Sequence, residues 1–146
     1  MGSSRHADRQ RAVSLLYEAD LRGDDPRTVL TRAAEDEPAG SFTVMLVEGV
    51  ADRRDQLDEL ITRYARGWSL SRMPVVDRNL LRLGLWELLW SDVPVAVIID
   101  EAVELANELS TPDSGRFVNG VLAQVARNER AVTSARGDDG GAATGR

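Results

Sequence analysis

Arg78-Asn79-Leu80-Leu81-Arg82-Leu83-Gly84-Leu85-Trp86-Glu87-Leu88-Leu89-Trp90 is the run that decides the fold. Wound as a helix, it puts apolar side chains on every face, and it contains no Pro. A helix that is apolar all round is buried by neighbours on all sides. A bilayer span needs about 20 apolar residues, whereas this run is shorter and is interrupted by Arg82 and Glu87. It reads as the central helix of a helical domain, within an organising stretch from Pro74 to Gly120.

The segments around it read as layers. C-terminal to it, Ser91-Asp92-Val93-Pro94 is a tight connection into a helix with Ile99, Ala102, Val103, Ala106 and Leu109 inward. Asp100, Glu104 and Glu108 take its solvent side. Thr111-Pro112 has the pattern of a capping residue followed by Pro at the first helical position, and opens a helix with Phe117, Val118, Val121, Leu122 and Val125 on its apolar face. N-terminal to the central helix, Phe42, Met45, Leu46, Gly49, Val50, Leu57, Leu60, Ile61 and Tyr64 form one inward stripe. That spacing predicts a single helix of about six turns, capped by Ser41 and ended by Gly67. Trp68 to Met73 is a loop or one extra turn. The chain opens with a helix from Arg5, carrying Val13, Leu16, Tyr17 and Leu21 on one face and stopped by Gly23. Asp25-Pro26 then caps a short helix with Val29, Leu30, Ala33 and Ala34 inward. No stretch alternates as a strand would. The expected class is all-α with about seven helices, in a domain covering residues 5–130 between disordered segments at 1–4 and 131–146.

Composition bounds the chemistry. The 146 residues fit one domain with a sizeable core. The absence of Cys removes disulfides, thiol nucleophiles and thiolate metal sites, and makes the cytoplasm the natural compartment. The N-terminus lacks the apolar region of a secretory signal. The formal charge is −6, which argues against attraction of nucleic acid over the whole surface. The basic residues are distributed unevenly: all 18 are Arg, and Arg5, Arg9 and Arg11 fall in the first eleven positions.

No catalytic constellation is present. The only His, His6, lies in an N-terminus expected to fray, which is a poor place for a positioned base. The pairs Glu101/Glu104 and Glu104/Glu108 sit at helical spacing, but no neighbouring His completes a metal site, so they read as a solvated face. Neither a catalytic residue nor a cofactor or metal is expected. Glu87, set among Leu and Trp, needs a partner if buried, and the spacing to Arg82 places that partner on another helix. Nucleic-acid binding has a modest candidate in Arg5-His6-Ala7-Asp8-Arg9-Gln10-Arg11. Arg offers a rigid fork of donors to phosphate and base edges, though a short basic run is also an ordinary helix start. Phe117 is either a core residue or a ring on which a base stacks. Asp113 suits the dipole of a first helical turn.

These segments, taken together, resemble the NusB transcription antitermination family. Arg9-Gln10-Arg11-Ala12-Val13-Ser14-Leu15-Leu16-Tyr17 is similar to its arginine-rich opening. Val76-Asp77-Arg78-Asn79-Leu80-Leu81-Arg82-Leu83-Gly84-Leu85-Trp86-Glu87-Leu88 is similar to its central helix. Asp92-Val93-Pro94 and Ile99 to Ala106 follow in the family's order. Asp113-Ser114-Gly115-Arg116-Phe117-Val118-Asn119-Gly120-Val121-Leu122 is close to its signature, and the likeness runs from about Arg5 to Ala126.

The resemblance implies two three-helix bundles packed across one another and a non-enzymatic role. It implies binding of boxA-type single-stranded RNA together with the ribosomal protein NusE, followed by assembly of other Nus factors and RNA polymerase, chiefly on ribosomal RNA operons. By position, Arg5, His6, Arg9, Arg11, Asp113 and Phe117 are the implied RNA-binding residues, and Asp77 is the implied partner-binding residue. A buried Leu/Trp rod is expected to hold the Arg-bearing terminus near the turn at Asp113 and Phe117 in one RNA-reading face. Ala7 and Asp8 interrupt the family's denser basic run. Because affinity follows the number of phosphates neutralised, the free protein is expected to bind RNA weakly. Two alternatives remain. One is a homodimeric helical interaction module without RNA binding of its own. The other is the helical module that opens a family of ribosomal RNA cytosine methyltransferases, disfavoured by the stop at Arg146.

Overall fold

The structure is a computed structural model that describes residues 4–130. The disordered segments expected at 1–4 and 131–146 lie outside the described residues, apart from Ser4. That residue is ordered: its hydroxyl accepts the Ala7 N–H at 3.0 Å and caps the first helix.

Seven α-helices follow: α1 (Arg5–Arg22), α2 (Pro26–Asp36), α3 (Ser41–Asp52), α4 (Arg54–Tyr64), α5 (Val75–Trp90), α6 (Val95–Leu109) and α7 (Ser114–Val125). A single 3-10 turn, Leu70–Arg72, precedes α5, and α7 runs on into a π-helical turn, Ala126–Arg130. No strand occurs among the described residues, and none of their helices is long and apolar enough to cross a membrane.

The helices α1, α2 and α3 pack on one another, as do α5, α6 and α7, with α4 laid against α5 and α7. The two bundles meet along α5, which touches α1, α3, α4, α6 and α7. This explains its composition. Eleven of its 16 residues are buried, so an apolar stripe on one face would not suffice. Several terminators act as their sequence predicts. Gly23 takes the left-handed conformation (φ 72°) that ends α1. The Asp25 carboxylate accepts the Arg27 N–H at 2.9 Å, with Pro26 at the first position of α2.

Four expectations fail. The six-turn helix is two helices, broken at Arg53 (φ −114°, ψ 17°). No Gly or Pro marks the break. It lies where the chain passes from α3, packed on α1 and α2, to α4, packed on α7, and the Arg53 guanidinium lies 4.7 Å from the Trp90 ring centroid. Next, Thr111-Pro112 is a turn before the helix, and Asp113 is the N-cap residue of α7. Ser41 likewise makes no cap: Gly40 holds that position. Finally, Tyr17, Leu21, Met45 and Leu109 are exposed, while Leu15, Val47, Ile98 and Leu105 are buried. Helices held between two neighbours bury a stripe rotated toward both, which periodicity along one helix does not reveal.

A polar network crosses the core. Asp20 of α1 accepts hydrogen bonds from Arg78 (2.7 and 2.8 Å), Asn79 (2.9 Å) and Arg82 (2.9 Å), all on α5. Arg82 also reaches both carboxylate oxygens of Asp58 on α4, at 2.7 and 3.1 Å. Burial pushes the Asp20 carboxyl up, but the Arg78 and Asn79 hydrogen bonds and the Arg82 and Arg78 charges outweigh it and hold it far below the usual carboxylate range. The network ties α1, α4 and α5 into one register.

Candidate nucleic-acid interface

The basic N-terminus is the first turns of α1 laid across α5 and α6, and its residues have separate tasks. Arg9 is buried, with its Nε donating to both carboxylate oxygens of Glu87 at 3.1 and 3.0 Å. Here is the partner that Glu87 required, on another helix. Burial raises the Glu87 carboxyl, and the hydrogen bond and charge of Arg9, with the charge of Arg5, oppose that rise. The Arg9 guanidinium also lies 5.1 Å from the Phe42 ring centroid. Arg5, exposed, stacks on the same ring at 4.2 Å. Arg11 donates to the Pro38 carbonyl at 2.9 Å and to the Glu37 carbonyl, which secures the loop between α2 and α3.

His6 is not frayed. Its Nδ1 lies 2.9 Å from Glu101 Oε1 on α6, and its Nε2 lies 3.6 Å from Glu108 Oε2. The hydrogen bond to Glu101 and the charges of Glu101, Glu104 and Glu108 raise its pKa above the ordinary imidazole value, against a smaller opposing effect of burial. The fold therefore brings to this glutamate face the His that lies 95 positions from Glu101 in the sequence. Donor atoms of His6, Glu104 and Glu108 lie within 4.8 Å of one another and could hold a metal ion, although both glutamates are exposed.

The signature residues form a second patch. Asp77 is buried and accepts hydrogen bonds from the Ser110 and Ser114 hydroxyls at 2.5 and 2.9 Å. Ser114 Oγ in turn accepts the Thr111 N–H at 3.2 Å. The α6–α7 turn is thereby pinned to the head of α5, which explains why the helix starts after Pro112. Gly115 lies so close to Asn107 that a Cβ would collide with its amide, and α7 closes on α6 there. Asp113 is exposed at the start of α7, where the helix dipole favours its charge. Phe117 is half-buried, its ring 5.9 Å from that of Trp68 at a tilt of 55°. Asp77, Asp113 and Phe117 line a cavity of 490 Å³ with Trp68, Arg72 and Arg116 among its other walls.

Arg5, His6 and Arg9 line a different cavity, of 450 Å³, with Val97 and Glu101. The two cavities share no lining residue. Between α6 and α7 is a third hollow, lined by Asp100, Glu104, Asn107 and Arg116, which joins the signature patch through Arg116. The Arg-bearing terminus and the signature turn thus line separate cavities, and Glu104 of α6 lies between them, beside His6 and in the hollow that Arg116 also lines. Trp68, Arg72 and Arg116 line the cavity at the signature turn without having been singled out in the sequence. An aromatic residue directly after Gly67, outside any apolar stripe, was the available signal for Trp68.

A model of the NusB family matches residues 6–127. The chain is 54% identical to the transcription antitermination protein NusB of Saccharopolyspora erythraea, over 95% of this chain and 98% of that one. It is 51% identical to the protein of the same name from Acidothermus cellulolyticus, over 90% and 92%. Among solved structures, T. maritima NusB superposes with a TM-score of 0.80 at 34% identity, covering 88% of this chain and 94% of that one. NusB from a complex of the antitermination factors NusB and NusE with double-stranded RNA superposes with a TM-score of 0.74 at 28% identity, covering 84% and 96%.

Proposed function

Because the chain belongs to the NusB family, we propose that it is a transcription antitermination factor that binds boxA-type RNA together with NusE. The observation that carries this is the family match over residues 6–127, coupled to an ordered signature turn at Asp113–Phe117 and an exposed Arg5 at the head of α1. A NusB relative of the same fold has been captured with NusE and double-stranded RNA, which supports NusE and RNA as the classes of partner. The role is non-enzymatic and cytoplasmic, and the pair recruits other Nus factors and RNA polymerase on ribosomal RNA operons.

The residues divide the work. Arg5 and His6 offer cationic contacts to phosphate, and Phe117 offers a ring edge to a base. Asp113 repels phosphate and limits affinity. Arg9 and Arg11 act through position: Arg9 neutralises Glu87 beneath the arm, and Arg11 fixes the adjoining loop. Asp77 serves the partner surface by holding the turn it is bonded to, since its own carboxylate is buried.

The test is an anisotropy titration of labelled boxA-type single-stranded RNA with the protein, NusE, and both. The pair is expected to bind at least tenfold more tightly than either protein alone. Equal affinity without NusE refutes the cooperative reading. A homodimer that persists at nanomolar concentration and ignores NusE refutes the function.

A further inference from the structure

We propose that the cavity lined by Trp68 and Phe117 is a nucleotide pocket, in which an unpaired RNA base stacks on the open face of Trp68 while Arg72 and Arg116 hold the adjoining phosphates. This rests on the RNA-binding reading above and deepens it. Trp68 is 52% exposed, although an indole ordinarily gains by burial. Its place is set by backbone geometry: Gly67 adopts φ 83°, and the Trp68 N–H donates to the Ala65 carbonyl at 3.1 Å. One side of the indole is occupied by the tilted Phe117 ring, and the rest faces the cavity. The two rings are in direct contact, so a base would stack on the face of the indole that Phe117 leaves open. The volume of 490 Å³ falls within the range of about 300–1,000 Å³ usual for small-ligand sites.

Charge selects the occupant. Arg72 and Arg116 are exposed, and no carboxylate of a described residue lies within ion-pairing distance of either. Many other arginines of the chain are paired: Arg9, Arg27, Arg32, Arg54, Arg63, Arg78 and Arg82 each meet an acid. Two free guanidinium groups beside an exposed indole, in a chain of net charge −6, make a local site for an anion that carries a flat ring. A nucleotide has both parts, and every base has a π-face for stacking. Of the two carboxylates that line the cavity, Asp77 is already satisfied by Ser110 and Ser114, and the exposed Asp113 repels phosphate and so limits the affinity that the two guanidinium groups supply.

The test uses the full chain with NusE and boxA-type single-stranded RNA. Wild type, Trp68→Ala, Trp68→Phe, Arg72→Gln and Arg116→Gln are titrated at several salt concentrations, with tryptophan emission recorded. Trp68→Ala is expected to weaken binding about tenfold, as loss of one stacked base does, and Trp68→Phe to retain most of the affinity. Wild-type emission is expected to be quenched by RNA, and Trp68→Phe to lose most of that quenching, since Trp86 is buried and only the half-buried Trp90, beside Arg53 and Arg5, remains to report the other patch. Each Arg substitution is expected to reduce the salt slope by about one. If wild type binds RNA and Trp68→Ala binds equally, the pocket is refuted while the antitermination reading stands. Weakened NusE binding by Trp68→Ala in the absence of RNA also overturns the proposal, because the cavity is then a protein-docking site. If wild type with NusE binds no RNA, the broader reading falls first.

Discussion

Arg9 Nε faces both carboxylate oxygens of Glu87 at 3.1 and 3.0 Å, and with both side chains buried this pair joins the first helix to the central one. The arm's middle arginine is therefore an internal strut, while Arg5 carries the exposed charge and His6 sits half-buried against Glu101.

Arg9→Ala strands the Glu87 carboxylate in the core. Breaking a buried pair by removing one partner costs about 3–5 kcal/mol, and urea denaturation is expected to show a loss of that order. Arg9→Met combined with Glu87→Leu is expected to recover most of it, because replacing both partners with apolar groups of similar volume is often neutral. A stable Arg9→Ala variant with weakened RNA binding contradicts this and returns Arg9 to the RNA surface.

His6 titrates above the usual imidazole value because of its hydrogen bond to Glu101 and the acidic face of α6. A group whose folded pKa is raised stabilises the fold fully below its unfolded pKa, near 6.5, and that contribution disappears as pH rises through the folded value. As the chain's only His, it gives one resolvable imidazole signal by NMR. Glu101→Gln is expected to lower its titration midpoint. A wild-type midpoint at or below the ordinary value contradicts the contact.

Asp20 behaves in the opposite sense. Burial raises its carboxyl, but the bonds from Arg78 and Asn79 and the Arg charges depress it further than burial raises it. Its contribution is therefore complete above the unfolded carboxylate pKa, near 3.9, and is lost as pH falls toward the folded value. Asp20→Asn is expected to flatten the acid limb of the stability curve below about pH 4. An unchanged limb argues against the network.

Gly49 and Gly120 separate close packing from helix propensity. A Cβ on Gly49 collides with the Trp86 indole where α3 crosses α5. Gly49→Ala is expected to cost about 1–3 kcal/mol through overpacking. Gly120 lies on the exposed face of α7 with nothing within 4 Å of a Cβ. Gly120→Ala is expected to stabilise by about 0.5–1 kcal/mol through backbone entropy. Equal melting temperatures for the two variants contradict the packing of α3 on α5.

Much of the fold was legible because its signals are local. The all-round apolar run of α5, the Gly23 stop and the Asp25-Pro26 cap each depend on residues a few positions apart. What escaped is set by neighbours distant in the chain. The break at Arg53 has no breaker residue, and marks where the chain crosses from one bundle to the other. That Glu87 needed a partner on another helix was readable, but its identity was not, since Arg9 lies 78 positions away. His6 looked frayed because nothing in its own segment orders it, whereas Glu101 of α6 does. The signature motif placed Asp113 and Phe117 correctly at one turn, but not the Trp68 and Arg116 walls beside them.

The most direct measurement of the central claim is backbone chemical-shift mapping of the labelled chain in complex with NusE, before and after addition of boxA-type RNA. The account predicts RNA-dependent shifts at both patches, at Arg5 and His6 on α1 and at Trp68, Asp113 and Phe117 around the α6–α7 turn. Shifts confined to the exposed faces of α2 and α4, with both patches silent, would contradict it.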